Sequence, residues 1–276
     1  MPGKLHLVSL PIGNLEDITL RAIKILRGVD LIVAEDTRNT RRVLDRYHIG
    51  TPFSCSLYQG VEKQRVECLL SLLEEGKDLA LVSDAGTPLL SDPGYPLVRA
   101  AVEADIAVVP IPGPTAAIAA LVASGLPTDH FVFDGMLPRK DTARRSYVER
   151  IREETRTVVC YDSPHRLLET LDIIAEILPN RTTVLARELT KVHEEFLRGR
   201  AAQLVERLQA REDVKGECVL LIEGADRPRQ KWDVDAVKQL ASLLKEEGVS
   251  GRLAVKLLMR GFGVSRNEAY RLIHND

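Results

Sequence analysis

Short apolar runs alternate with stretches of helical periodicity along most of this chain. Leu5-His6-Leu7-Val8-Ser9-Leu10, Asp30 to Ala34, Leu79-Ala80-Leu81-Val82 and Ile106-Ala107-Val108-Val109 read as buried strands, since a short apolar run bounded by turn residues suits a strand covered on both faces. Between them, Ile18 to Leu26, Arg38 to Tyr47, Glu62 to Glu75 and Tyr95 to Ala104 read as helices. In the third, Val66, Leu69, Leu70 and Leu73 fall at helical spacing. Strands alternating with helices predict a mainly parallel sheet.

A helix over 115–124, built of small residues and opened by Thr115 as N-cap, precedes the break Gly125-Leu126-Pro127-Thr128. The pattern then restarts. Phe131-Val132-Phe133, Thr157 to Tyr161, Thr182 to Ala186 and Cys218 to Ile222 read as strands, with helices over 142–152, 165–178 and near 201–210. The expectation is an α/β protein of two domains, 1–113 and 114–224. A polar linker, Gly224 to Lys231, leads to three helical patterns, Val234 to Glu247, Leu253 to Arg260 and Asn267 to Ile273. The turn Phe262-Gly263-Val264-Ser265, with Ser265 as N-cap, makes residues 233–276 similar to a helix-turn-helix module. The basic residues Arg252, Lys256, Arg260, Arg266 and Arg271 of this unit suit either a nucleic-acid surface or a solvated prop for a dimer.

Composition narrows the class. The chain has 276 residues, 45% of them hydrophobic and only 4% aromatic, so its cores are aliphatic. A net charge of −2 excludes coating nucleic acid by bulk charge but not through local basic patches. The four cysteines, Cys55, Cys68, Cys160 and Cys218, include no CxxC pair and read as buried free thiols of a reducing compartment. The N-terminus lacks a signal peptide's apolar region, and no apolar stretch approaches the ~20 residues that span a bilayer. A cytoplasmic protein without membrane contact is expected.

Candidate chemistry concentrates in two loops. Ser83-Asp84-Ala85-Gly86-Thr87-Pro88-Leu89-Leu90-Ser91-Asp92-Pro93-Gly94 follows one predicted strand, and Pro110-Ile111-Pro112-Gly113-Pro114-Thr115 follows another. Ligands of open α/β sheets bind at that carboxyl edge, where Gly and Pro fix the backbone and admit close approach. Neither GxxxxGK[ST] nor a GxGxxG after the first strand is present, which disfavours kinases, ATPases and common nicotinamide enzymes. A nucleoside or zwitterion without a polyphosphate suits such loops.

Five motifs occur in order: Pro11-Ile12-Gly13-Asn14-Leu15, the 83–94 loop, Pro112-Gly113-Pro114-Thr115, Tyr161-Asp162-Ser163-Pro164-His165-Arg166 and Ala186-Arg187-Glu188-Leu189-Thr190-Lys191. Together they resemble the tetrapyrrole methylase superfamily, and within it the branch that methylates small-subunit ribosomal RNA. The resemblance spans 5–224, and the tail is similar to that branch's extra helical domain. It implies a tetrapyrrole-methylase-like fold with S-adenosylmethionine folded between two α/β domains. It further implies 2′-O-methylation of a cytidine in the decoding region of 16S ribosomal RNA, and a homodimer. By position it implies that Leu10 and Gly13 line the cofactor cleft and that Asp84, Gly86, Thr87, Leu89, Ser91 and Asp92 wrap the methionine end. Thr115 and Ala116 hold the adenosine side, and Tyr161, Ser163, Ala186 and Gly216 come from the second domain.

A ribose hydroxyl is a poor nucleophile near neutral pH, so a base or a positive group must help it lose its proton. Lys191 or Arg38 would stabilise the developing alkoxide, and Asp36 or Glu194 would accept the proton; the residues do not choose between them. For the RNA, or the assembled small subunit, the expected contacts are Arg41 and Arg42, the cluster Arg139, Lys140, Arg144 and Arg145, His165 and Arg166, and Arg252 and Lys256 in the tail. His193-Glu194-Glu195 lacks the second histidine of HExxH, so no metal is expected. Two alternatives remain: a tetrapyrrole C-methyltransferase, and a ribosome-assembly factor that binds RNA without turnover.

Overall fold

The computed structural model describes residues 1–56, 62–211, 213–226 and 234–274. Met1–Ala225 forms one compact unit and Asp226–Asp276 another.

The first half of the larger unit runs β1 (Leu5–Val8), α1 (Leu20–Gly28), β2 (Leu31–Ala34), α2 (Thr37–Arg46), β3 (Phe53–Ser56), α3 (Glu62–Glu74), β4 (Leu79–Val82), α4 (Tyr95–Glu103) and β5 (Val108–Ile111). The strands form a parallel sheet of order β3-β2-β4-β1-β5. Alternation along each strand feeds two cores. Leu79 and Leu81 of β4 join Leu69 and Leu73 of α3 and Leu97 of α4. Ala80 and Val82 join Leu26 of α1 and Val43 and Leu44 of α2. Each leucine buried this way contributes about 1.5–3 kcal/mol, which is why β4, buried throughout, reads so plainly as an apolar run.

The second half runs α5 (Ala116–Ser124), β6 (Phe131–Met136), α6 (Asp141–Arg150), β7 (Thr157–Asp162), α7 (Leu167–Ile177), β8 (Thr182–Arg187), β9 (Glu195–Arg200), α8 (Ala201–Gln209) and β10 (Cys218–Ile222). Its sheet, order β6-β7-β10-β8-β9, is mixed: β6 and β7 are parallel, and the other neighbours are antiparallel. Thus the parallel pattern of the first half does not continue. α5 packs on this sheet through Ala117, Ala120 and Leu121 against Val159, Val184 and Val219.

Three further differences from the sequence expectations have physical causes. β3 and β9 were not expected as strands; both lie at sheet edges, and β9 carries Glu195, Arg198 and Arg200, charges that protect an edge but hide a strand's signature. β5 starts two residues late and includes Pro110; at an edge, a residue without an N–H is tolerated. Cys68 is exposed, whereas Cys160 and Cys218 are buried as expected; the Cys55 side chain lies outside the described residues.

In the smaller unit, α9 (Val234–Glu246), α10 (Gly251–Phe262) and α11 (Arg266–His274) enclose Val237, Ala241, Leu258, Val264 and Ile273. Gly263 ends α10 in the left-handed conformation. Ser265 then caps α11: its Oγ accepts from Glu268 N at 3.3 Å, and the Glu268 carboxylate accepts from Ser265 N at 3.2 Å, a reciprocal capping box. Among the described residues, no helix is long and apolar enough to cross a membrane.

Candidate functional site

The carboxyl ends of β1, β2, β4 and β5 open onto a cavity of about 490 Å³. Ile12, Glu35, residues 84–87 and 90–92 and Thr115-Ala116 line it from the first half, and Met136, residues 161–164 and residues 216–219 from the second. The loop's shape is unusual. Gly86, Leu89, Ser91 and Gly94 all have positive φ, at 74°, 72°, 74° and 123°. For Leu89 and Ser91 this conformation costs about 1–3 kcal/mol each and persists only where the surroundings enforce it. They do so here. Leu10 and Gly86 exchange backbone hydrogen bonds, Leu10 N donating at 2.8 Å and Gly86 N at 3.0 Å. Leu89 packs into the core under the loop. A Cβ on Gly94 would stand 2.8 Å from Leu81 Cδ2.

The second loop is tied to the first by hydroxyls. Thr87 Oγ1 lies 2.6 Å from Thr115 Oγ1 and 3.0 Å from Ser9 Oγ, and donates to the Pro114 carbonyl at 3.1 Å. Gly113 makes that approach possible, since a Cβ there would meet Ser9 Cβ at 2.8 Å. Across the cavity, Tyr161 rests edge-on against Phe133, ring centroids 5.1 Å apart, and its hydroxyl accepts from Ala117 N at 3.3 Å in the first turn of α5.

The lining is acidic. Glu35, Asp84, Asp92, Asp162 and Glu217 face the cavity, and among the described residues no Lys, Arg or His lines it. Burial, then repulsion from Asp92, Asp84 and Asp36, pushes Glu35 up to about 7. Burial also lifts Asp92 to about 6, with Asp84 adding to the rise and a Ser83 hydrogen bond opposing it. Asp84 accepts from Asp36 N at 3.0 Å and from Asn39 Nδ2 at 2.8 Å. Asp162 accepts from Arg166 Nε and Thr170 Oγ1, each at 2.6 Å, and from Ser163 N at 2.8 Å. Such a cavity suits a positively charged ligand and repels a polyphosphate.

Beside it, the 188–191 turn is tightly built. Glu188 and Thr190 have φ of 51° and 63°. Lys191 Nζ donates to Glu188 Oε1 at 2.9 Å and to Glu217 Oε2 at 3.2 Å. Partial burial works against the Lys191 charge, but Glu188 and Glu217 outweigh it and hold its pKa above the usual lysine value. Gly13 leaves room for this turn, because a Cβ there would stand 2.6 Å from Lys191 Cγ and 2.7 Å from Thr190 Oγ1.

Of the residues expected to hold a cofactor, Asp84, Gly86, Thr87, Ser91, Asp92, Thr115, Ala116, Tyr161, Ser163 and Gly216 all line the cavity. Four do not. Leu10 and Ala186 are wholly buried core residues, Gly13 abuts Lys191, and Leu89 packs beneath the loop. The expected proton acceptors need correction. Asp36 caps α2, accepting from Arg38 N at 2.8 Å, and pairs with the Arg38 guanidinium at 2.6 Å. Hydrogen bonds from Arg38 hold its carboxyl near 2, too acidic for a base. Glu194 accepts from Thr190 N at 2.7 Å and closes the turn. Arg38 extends into solvent and Lys191 stands behind Glu217, so neither lines the cavity. Glu35 was missed as a candidate. Its signal lay in its place just past β2, at the carboxyl edge of the sheet: here Glu35 meets the cavity while Asp36 caps the helix.

Among the expected substrate contacts, Arg41, Arg42, Arg139, Lys140, His165, Arg252 and Lys256 are exposed. Arg144 is not: its side chain is 1% exposed and pairs with Asp141 and Glu169, so, contrary to expectation, its guanidinium is not open to a phosphate. Arg166 is committed to Asp162 and the Leu137 carbonyl, which makes it a brace for the 161–164 wall.

Residues 4–205 match the model of the tetrapyrrole (corrin/porphyrin) methylases. The chain is 45% identical to the ribosomal RNA small subunit methyltransferase I of Escherichia coli O157:H7, over 98% of this chain and 94% of that one. It is 47% identical to the protein of that name from Hydrogenobaculum sp. (strain Y04AAS1), over 79% of this chain and 95% of that one. Among solved structures, the methyltransferase CobJ shares the fold with a TM-score of 0.62 at 20% identity, covering 81% of this chain and 95% of its own. A uroporphyrin-III C-methyltransferase from Thermus thermophilus, complexed with S-adenosylhomocysteine, does so at 0.53 and 18% identity, covering 80% and 97%. The chain belongs to the tetrapyrrole methylase family, on the branch of the ribosomal RNA small subunit methyltransferase I proteins.

Proposed function

We propose that this protein is a cytoplasmic methyltransferase, acting as a homodimer. It uses S-adenosylmethionine to methylate the ribose 2′-oxygen of a cytidine in the decoding region of 16S ribosomal RNA. The observation that carries the donor assignment is the cavity itself, lined by carboxylates and free of basic side chains among the described residues. The names of the relatives direct the substrate assignment to small-subunit RNA.

The residues present fit S-adenosylmethionine. A cationic sulfonium and ammonium suit Asp84 and Asp92, and the shaped 84–92 backbone, Thr87 and Thr115 offer polar atoms to a zwitterion. Ala116, Tyr161, Ser163 and Gly216 offer a flat, mostly apolar wall to the nucleoside. When bound, the donor supplies a methyl group already activated on a positively charged sulfur.

The protein's work is then alignment and proton handling. Holding the ribose oxygen in line with the methyl group contributes several kcal/mol, of the order of 7–11 in well-oriented systems. Lys191 fixes the Glu217 and Glu188 carboxylates and so positions the wall on which the substrate rests. The exposed Arg41, Arg42, Arg139, Lys140 and His165, with Arg252 and Lys256 on α10, supply phosphate contacts, which fix register without reading sequence.

The test is methyl transfer in vitro from a labelled donor, with small-subunit particles at several assembly states and a porphyrinoid as competing acceptors. Label at a ribose 2′-oxygen is the expected result. Label on the macrocycle alone, or no transfer to RNA from any particle, overturns the proposal.

A further inference from the structure

We propose that Glu35 is the catalytic base that takes the proton from the ribose hydroxyl during methyl transfer, an assignment that rests on the ribose-methylation proposal above. The cavity holds five carboxylates, and they are not equivalent. Asp84 is held by Asp36 N and Asn39. Asp162 is held by Arg166, Thr170 and Ser163 N. Glu217 pairs with Lys191, and Asp92 faces the cationic donor in the proposal above. The Glu35 side chain makes no hydrogen bond or ion pair among the described residues, although it is partly buried and lines the cavity. It is therefore the carboxylate whose oxygen lone pairs are open to a substrate hydroxyl.

Position supports the same role. Glu35 directly follows β2, the strand hydrogen-bonded to β4, and β4 leads directly into the loop proposed to wrap the donor's methionine end. The next residue caps α2, whose exposed Arg41 and Arg42 are proposed phosphate contacts. A nucleotide held by α2 and a donor held by the 84–92 loop would thus meet beside Glu35.

The chemistry balances without a further reactant. The proton of the ribose hydroxyl passes to a Glu35 oxygen as the ribose oxygen forms its bond to the methyl carbon. The methyl–sulfur bond breaks and leaves its electron pair on sulfur, which becomes a neutral thioether. Glu35 then returns the proton to solvent. An ordinary glutamate is a weak base for this work, but the charged groups facing Glu35 are all acidic: Asp92 and Asp84 from the loop after β4, and Asp36 beside it. Their repulsion, added to burial, moves Glu35 to about 7, where a general base is most effective at neutral pH.

The experiment compares wild type, Glu35→Gln and Glu35→Asp on small-subunit particles, in single turnovers with both substrates saturating. Donor affinity and the protons released on donor binding are measured calorimetrically alongside. The expected results are a fall of about 100-fold or more in the Glu35→Gln transfer rate at saturating donor, as for loss of a general base, well beyond any fall in donor affinity. The acidic limb of the pH–rate profile flattens in Glu35→Gln and persists in Glu35→Asp, and fewer protons are released on donor binding by Glu35→Gln. A wild type that methylates ribose while Glu35→Gln keeps its rate and its acidic limb overturns the assignment to Glu35 alone. So does a loss of rate wholly explained by loss of donor affinity. A wild type that leaves ribose unmethylated overturns the ribose proposal and this assignment with it.

Discussion

The Glu188 carboxylate lies directly over Gly216: a Cβ on that glycine would stand 2.3 Å from Glu188 Oε1. Gly216 also has φ of +97°, so both space and backbone demand glycine. The same carboxylate accepts from Glu217 N at 3.0 Å and from Lys191 Nζ at 2.9 Å, and so joins the 188–191 turn to the cavity wall. Gly216→Ala is expected to destabilise the protein by about 1–3 kcal/mol, the cost of a forced left-handed residue, and to weaken donor binding. Urea denaturation and donor calorimetry check both; an unchanged midpoint and affinity would show that the wall tolerates a side chain there.

Arg144 is a structural clamp, and its replacement is expected to act on stability rather than on RNA. The guanidinium donates to the carbonyls of Pro138 and Arg139 as well as to Asp141 and Glu169. Arg144→Ala is expected to cost about 2–4 kcal/mol through lost packing and unpaired carbonyls, with RNA affinity of the folded protein nearly unchanged. Replacing the exposed Arg139 and Lys140 by alanine should do the reverse. Stability should hold while RNA affinity falls and its salt dependence lessens by about one counterion per lost contact.

Much of this was legible in the chain. β4 and β10 are buried along their whole lengths, so their apolar runs stand out, and the loops after β4 and β5 carry the glycines and prolines that a close-packed binding edge demands. Ten residues expected around a cofactor meet on one cavity because the motifs sit at strand ends, whose convergence follows from the sheet. What was not legible depends on tertiary partners. Whether Glu35 or Asp36 faces the cavity is decided by the turn into α2. Whether Arg144 meets solvent is decided by α7, which brings Glu169 over it. β9 is concealed by its own charges.

Donor binding is expected to strengthen as pH rises from about 5 to 8. Asp92 and Glu35 have pKa values raised to about 6 and 7 in the folded protein, above the ordinary carboxylate values near 4. They hold protons longer in the folded than in the unfolded chain, so their contribution to stability is present below about pH 4 and is lost as pH rises through 6 and 7. A cationic donor favours the ionised carboxylates and reverses that loss, releasing protons on binding. Calorimetry in buffers of different ionisation enthalpy reads this directly. Asp92→Asn is expected to flatten the dependence, and pH-independent affinity in the wild type would contradict it.

The helical unit is expected to serve the RNA and not the donor. Residues 1–225 contain both sheets and every residue that lines the cavity, while Arg252 and Lys256 lie exposed on α10. A chain ending at Ala225 should bind the donor with wild-type affinity and RNA more weakly, with a shallower salt dependence. Unchanged RNA affinity would leave the unit a structural role.

The central claim is ribose methylation of one cytidine in small-subunit RNA. Mass mapping of 16S ribosomal RNA from cells with and without this protein tests it most directly. One cytidine in the decoding region should lose the mass of a single methyl group, located on its ribose by resistance to alkaline cleavage, and regain it when the protein is restored. Identical RNA maps from the two kinds of cell, or a methyl group lost from a base instead of a ribose, would contradict it.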